Sequence, residues 1–130
     1  MIIVDSNVLI EYFGELQNFD KAQLILEGDE FFALNCMIIS EVYNFLNNKI
    51  GLFYANLFVE WLVDESNNIV ILEIEKDLMT KILKNKLSLN TTPLSLTDWS
   101  IILMCGEYGI TGISSNQLLV SYSLGRTELF

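Results

Sequence analysis

Short β-branched runs alternate with helical segments along the whole chain, and this rhythm is the strongest constraint on its fold. The segment Met1–Asp5 reads as a buried strand that ends in an acid. Asn7–Phe13 and Phe19–Leu26 have helical spacing and stop near Gly14 and Gly28. Phe31–Leu34 reads as the next strand. Met37–Leu46 and Leu52–Val63 read as two helices parted around Gly51, and Ile69–Leu72 as a strand. Leu78–Leu87 has helical spacing and is basic. Asn90-Thr91-Thr92-Pro93 is the clearest loop and holds the only proline. Ser95 or Thr97 is positioned to cap a helix that runs to about Tyr108, with Gly109 at its end. Ile110–Ile113 is a strand, and the tail after Asn116 has room for one more helix turn and an edge strand. This order predicts an α/β fold, with a mostly parallel sheet covered by helices on both faces. Sites in open sheets of this kind form beyond the carboxyl ends of strands, and Asp5 occupies one such end.

The 130 residues fit one domain, spanning 1–130, with no internal repeat or linker. A chain of this length buries a sizeable core without staples. Its hydrophobic fraction is 52% and its mean hydropathy +0.40, so it packs a large core or covers some of its surface with a partner. No apolar stretch approaches the roughly 18 residues of a membrane span. The opening Met1-Ile2-Ile3-Val4 lacks the basic and long apolar regions of a signal peptide, so the expected location is cytoplasmic.

Histidine is absent. That excludes Ser-His-Asp and Cys-His catalysis and most zinc chemistry. Cys36 and Cys105 are far apart in apolar surroundings and read as small core residues, not as a disulfide framework. Any catalysis therefore falls to carboxylates. With 17 acids against 7 bases and a net charge of −10, the chain is poorly suited to gripping nucleic acid by bulk charge.

Three acids stand out by position. Ile38, Val42 and Phe45 mark an apolar helix stripe, and Glu41 falls on it, three residues after Ile38 and four before Phe45. A glutamate facing inward is costly unless paired; the plain alternative is a stripe-edge side chain that bends out to water. Asp98 precedes Ile101 and Ile102 by three and four residues, so it extends the inward stripe of Ile101, Ile102 and Cys105. It also suits a helix first turn, where the macrodipole favours an acid. Asp5 follows a strand and is equally suited to helix capping. Carboxylates brought together repel one another unless a cation lies between them. An oxygen-only set of this kind suits Mg2+ or Mn2+, which activate water and polarise phosphodiesters.

These residues resemble the motifs of the PIN-domain family. Ile2-Ile3-Val4-Asp5-Ser6-Asn7-Val8-Leu9-Ile10 is similar to the family's first motif, a hydrophobic strand followed by Asp-Thr/Ser-Asn-Val-Leu. Ile39-Ser40-Glu41-Val42 resembles the second, a helical acid. Ser95-Leu96-Thr97-Asp98-Trp99-Ser100-Ile101-Ile102 resembles the third, and Ile110 to Asn116 the last, a strand ending in Thr/Ser-x-Asp. The four occur in order over nearly the whole chain. The resemblance implies a PIN-like three-layer fold and the activity of VapC-type toxins, metal-dependent endoribonucleases held by an antitoxin. It implies a homodimer acting on RNA with Mg2+ or Mn2+. Asp5, Glu41 and Asp98 would be catalytic and hold the metal, with Asn116 at the family's fourth ligand position. Ser6, Asn7 and Ser114 would support the first ligand or meet the substrate. The family usually carries an acid where this chain has Asn116, and no acid between Glu107 and Glu128 replaces it. Asn is also a natural cap or turn residue.

Two further readings compete with the ribonuclease. One is a PIN-like binding or assembly module with weakened or absent catalysis, favoured by Asn116 and the acidic balance. The other is a phosphatase with an aspartate nucleophile, whose usual second acid two residues later is here Asn7. Four of the seven bases, Lys76, Lys81, Lys84 and Lys86, share one segment. They suit either an RNA-facing edge or an ordinary solvated helix face. Tyr54, Phe58 and Trp61 recur at helical spacing, consistent with core packing or with a docking surface.

Overall fold

The computed structural model describes residues Met1–Phe130. In chain order the elements are β1 (Ile2–Val4), α1 (Ser6–Phe13), α2 (Phe19–Leu26), β2 (Phe32–Leu34), α3 (Cys36–Phe45), α4 (Leu52–Val63), β3 (Ile69–Ile71), α5 (Lys76–Ser88), α6 (Leu96–Tyr108), β4 (Thr111–Ser114), α7 (Gln117–Tyr122) and β5 (Thr127–Leu129). A π-helical turn, Leu46–Ile50, extends α3 to Gly51.

The five strands form one sheet in the order β3-β2-β1-β4-β5, and every neighbouring pair is parallel. The sheet is thus wholly parallel where the sequence predicts mostly parallel. β1 lies at its centre, with Ile3 opposite Ala33 on one side and Gly112 on the other. The chain steps outward from β1 to β3, then returns past β1 to β4 and β5. Right-handed crossovers therefore place α1 to α4 on one face and α5 to α7 on the other. Packing agrees: α1 meets α2, α3 and α4, while α6 meets α5 and α7. The reversal of strand order between β1 and β4 creates a crevice at their carboxyl ends, the position where open α/β sheets bind ligands.

Burial follows from this layering. Ile3, Val4, Ala33 and Leu34 are fully buried between the helical layers, as strands of a covered parallel sheet must be. Phe58 of α4 is fully buried, and Phe13 packs edge-on against both Phe58 and Trp61 with centroids 5.2 and 5.3 Å apart. The aromatic spacing in α4 is therefore core packing. The outer side of the same helix leaves Leu52, Phe53, Leu57 and Val63 exposed, which accounts for part of the high mean hydropathy.

Two expectations change. The inward stripe of α3 is Ile38, Val42 and Leu46, not Phe45, which is 38% exposed. The helix continues without a break into the π turn, so the side facing the core passes through Leu46. Glu41 consequently lies on the exposed flank of α3 rather than on the buried stripe. Cys105 is buried as expected, but Cys36, at the start of α3, is exposed, and neither is disulfide-bonded. Helix α6 begins with a capping box between Ser95 and Asp98 and ends at Gly109, whose φ of 65° suits glycine at a helix C-terminus. No helix is long and apolar enough to cross a membrane.

Gly112 is closely packed between β5 and α6. A Cβ there would meet Thr127 Oγ1 at 2.9 Å and Cys105 Sγ at 3.0 Å, and both neighbours are buried. Gly112→Ala is expected to destabilise the protein by about 1–3 kcal/mol through overpacking, read as a lower midpoint in urea denaturation.

Candidate active site

Asp5 is placed by the step from β1 into α1. It is the N-cap of α1, and its Oδ1 accepts a hydrogen bond from the Ser6 N–H at 2.7 Å. Its Oδ2 accepts from the Ser114 hydroxyl at 2.5 Å, across the β1–β4 switch point. The residue is 2% exposed. Burial pushes its pKa from an ordinary 3.8 up to about 6; the Ser114 and Ser6 hydrogen bonds oppose the rise, and the charges of Asp98 and Glu41 add to it. Both other acids therefore act on Asp5 from nearby.

Glu41 reaches the same place from α3. Its Oε1 accepts a 2.5 Å hydrogen bond from the Ser6 hydroxyl, which also lies 3.3 Å from Asp5 Oδ1. Ser6 thus bridges two carboxylates and is itself buried. Asp98 comes from the first turn of α6, where its Oδ2 accepts from the Ser95 N–H at 2.8 Å. Its pKa is raised, first by desolvation and then by the Glu41 charge; the hydrogen bonds to Ser95 and the Lys86 cation oppose this. Asp98 serves as cap and stands in the acidic cluster at once. The two uses considered from the sequence coexist because the cap engages one carboxylate oxygen.

The remaining site candidates fall in different places. Ser114 is fully buried; its hydroxyl donates to Asp5 and accepts from the Asn116 N–H at 3.0 Å, so it is occupied in supporting the carboxylate. Asn7 Oδ1 accepts from the Ser115 N–H at 3.4 Å and ties α1 to the end of β4. Asn116 is the N-cap of α7, with its Oδ1 shared by the N–H groups of Leu118 and Leu119 at 3.0 and 3.3 Å. The oxygen it would offer a cation is already held by two amides.

The basic segment contributes less free charge than its sequence suggests. Lys86 donates to the carbonyls of Thr92 and Leu94 at 3.0 and 2.8 Å, pinning the loop that leads into α6. Lys81 pairs with Glu107 at 3.6 Å. Reading that run as a charge patch misses Lys86 as a tether, because a tether depends on which carbonyls the fold brings near. The sequence reading also passes over Asn35 and Ser100, a buried hydrogen-bonded pair joining the start of α3 to α6. The only signal for Asn35 is its residue type just ahead of a helix.

The donor chemistry fits a hard divalent cation. Three carboxylates act on one another electrostatically, one of them is buried with a raised pKa, and Lys86 is the one cation that opposes the crowding at Asp98. They are not gathered into a ready-made cage: no cluster of three or more acidic, Cys or His side chains is close enough to hold an ion. An open groove of about 380 Å3 runs beside Glu41, edged by Met37, Ser40, Asn44 and Leu96. A more polar cavity with Tyr12, Glu27, Trp61 and Asn67 touches none of the three acids.

Because the folded protein holds the Asp5 proton more tightly than the unfolded chain does, the Asp5 contribution to metal-free stability is fully present below about pH 4 and is lost as pH rises through about 6. The loss amounts to roughly 3 kcal/mol from the size of the shift. Asp5→Asn, which keeps the acceptor for the Ser6 N–H, is expected to flatten this dependence. It should raise the melting temperature in EDTA at pH 7, measured by calorimetry across the pH range.

Three comparisons place the molecule among known proteins. The chain is similar in fold to VapC20 of Mycobacterium tuberculosis, described as a Sarcin-Ricin loop cleaving toxin. The identity is 13%, the coverage 93% of this chain and 94% of that one, and the TM-score 0.80. It is also similar to FitAcB from Neisseria gonorrhoeae, at 14% identity, with 98% and 96% of the two chains covered and a TM-score of 0.68. No curated protein sequence matches it. The profile of the PIN domain matches residues 2–122, which contain β1, the switch point and all three acids. By that match and by its fold, this chain belongs to the PIN domain family.

Proposed function

We propose that this protein is a metal-dependent endoribonuclease that hydrolyses RNA phosphodiester bonds. The observation that carries the reading is the mutual electrostatic influence of Asp5, Glu41 and Asp98, which come from three separate elements, with Glu41 joined to Asp5 through Ser6. Asp5, Glu41 and Asp98 would hold Mg2+ or Mn2+, which when bound supplies charge neutralisation and activates water at the phosphodiester. Ser6 aligns Asp5 with Glu41, and Ser114 fixes the far oxygen of Asp5. Asn7, held by Ser115, would meet substrate. The open groove beside Glu41 would carry the RNA strand past that acid.

Cellular toxicity and an antitoxin partner are part of this reading, supported by the family and by the likeness to the toxin VapC20. The exposed apolar side of α4 suits a protein partner or a second copy, and a homodimer is part of this reading. Cytoplasmic residence accords with two unpaired cysteines.

Two observations favour the second reading, a PIN-fold binding module. Asn116, at the usual fourth acidic position, is engaged in capping α7, and the carboxylates are not gathered for an ion. Metal binding separates the two readings.

Purified protein is expected to cut a mixed pool of single-stranded and structured RNAs with Mn2+ or Mg2+, and to stop in EDTA. Asp98→Asn should lower the rate by at least about 100-fold while remaining folded. Folded protein that neither cuts RNA nor binds Mn2+ would leave the binding-module reading standing. A second substitution tests the departure at the fourth position. Asp caps helices as well as Asn does, so Asn116→Asp should change stability by no more than about 0.5 kcal/mol. If residue 116 faces the ion, the same change strengthens Mn2+ binding in calorimetry; unchanged affinity would confine it to the cap.

A further inference from the structure

The metal-site reading of the three acids leaves open what fixes Asp98 relative to the other two. Resting on that reading, we infer that Asn35 and Ser100 form a positioning pair, a buried strut that sets α6 and its carboxylate against α3 across the carboxyl edge of the sheet.

The three acids are tied together unevenly. Glu41 is joined to Asp5 through the Ser6 hydroxyl. The Asp98 side chain bonds only within its own helix cap, to Ser95. Its place in the cluster therefore depends on how α6 sits as a body. α6 follows the crossover to the opposite face of the sheet from α3, and the two helices touch. Apolar packing alone fixes such a meeting loosely along the helix axes, because dispersion contacts have little directionality.

Asn35 supplies the direction. It follows β2 and caps α3, accepting from the Ile38 N–H at 3.0 Å through Oδ1. Its Nδ2 reaches the other way, donating to Ser100 Oγ at 3.0 Å and lying 3.3 Å from Met104 Sδ. Ser100 in turn donates to the Thr97 carbonyl at 2.6 Å. Asn35, Ser100 and Met104 are all fully buried. No other hydrogen bond joins the stretch 35–45 to α6. Ser or Asp would satisfy the cap equally well. Of the good capping side chains, only Asn carries a second arm that donates, and here that arm is used on α6. Glu41 lies six positions after Asn35 on α3, and Asp98 two before Ser100 on α6. The strut thus acts within two helical turns of both carboxylates. Groups that must converge on an ion need their supporting elements held to about half an ångström.

The test is Mn2+ affinity of the full chain, measured by calorimetry well below every variant's melting temperature. Asn35→Ser keeps a cap and removes the arm; Ser100→Ala removes its acceptor. Leu26→Ala, a core truncation at the end of α2, serves as a control for lost stability alone. Each strut variant is expected to weaken Mn2+ binding by about 10-fold or more. The double variant should be no weaker than the worse single one, because both remove the same link. Leu26→Ala should bind like the wild type despite a lower melting temperature. Wild-type affinity in the folded strut variants, or an equal loss in Leu26→Ala, would overturn the positioning role and leave the metal site intact. Folded wild type that binds no Mn2+ would overturn the metal-site reading itself, and the positioning role with it.

Discussion

A carboxylate with almost no exposure to water sits at the carboxyl end of the central strand, and the crevice is organised around keeping it there. Asp5 receives a backbone N–H from α1 and a hydroxyl from the far side of the switch point. Those bonds are not enough to restore an ordinary pKa, because burial and two neighbouring acids work against them. A buried, partly compensated charge is a cost to folding, and folds keep such costs mainly where function requires them. The parallel order β3-β2-β1-β4-β5 makes the arrangement feasible, since the reversal between β1 and β4 opens the one place where Asp5 meets groups from both faces.

The same crevice shows how one polar side chain comes to serve two ends. Asp98 starts α6 and stands among the acids. Ser114 ends β4, orients Asp5 and receives the Asn116 amide. Asn35 caps α3 and reaches α6. In each case local helix or strand chemistry justifies the residue, and its second contact ties a distant element into the site. The net charge of −10 is compatible with a phosphodiester substrate only where cations screen the carboxylates. The lysine-rich helix α5 gives limited relief, since Lys86 and Lys81 are engaged within the protein and Lys76 and Lys84 make no ion pair.

Much of the architecture was legible in the chain. Helix and strand placements from Ser6 to Val63 differ from the structure by about a residue at most boundaries, because Gly14, Gly28 and Gly51 punctuate strong apolar periodicity. The short tail was legible too, as one helix and an edge strand after Asn116. Short-range spacing misleads where faces shift. Phe45 falls on the α3 stripe by spacing alone, because the π turn that carries Leu46 inward leaves no mark in a short window. Cys36 has apolar neighbours in sequence, yet it is exposed at a helix start.

The sequence by itself determined the alternation of strands and helices, and hence the covered parallel sheet. It also determined that any chemistry here belongs to carboxylates, since histidine is absent. These follow from short-range properties: side-chain periodicity, backbone preference and the inventory of titratable groups. Only the tertiary structure decided which residues meet. The bonds from Ser6 to Glu41, from Asn35 to Ser100 and from Ser114 to Asp5 span 35, 65 and 109 residues. Periodicity gives the direction of a side chain from its own element, but not which partner lies there. That partner is set by strand order and crossover handedness, which the whole chain decides together.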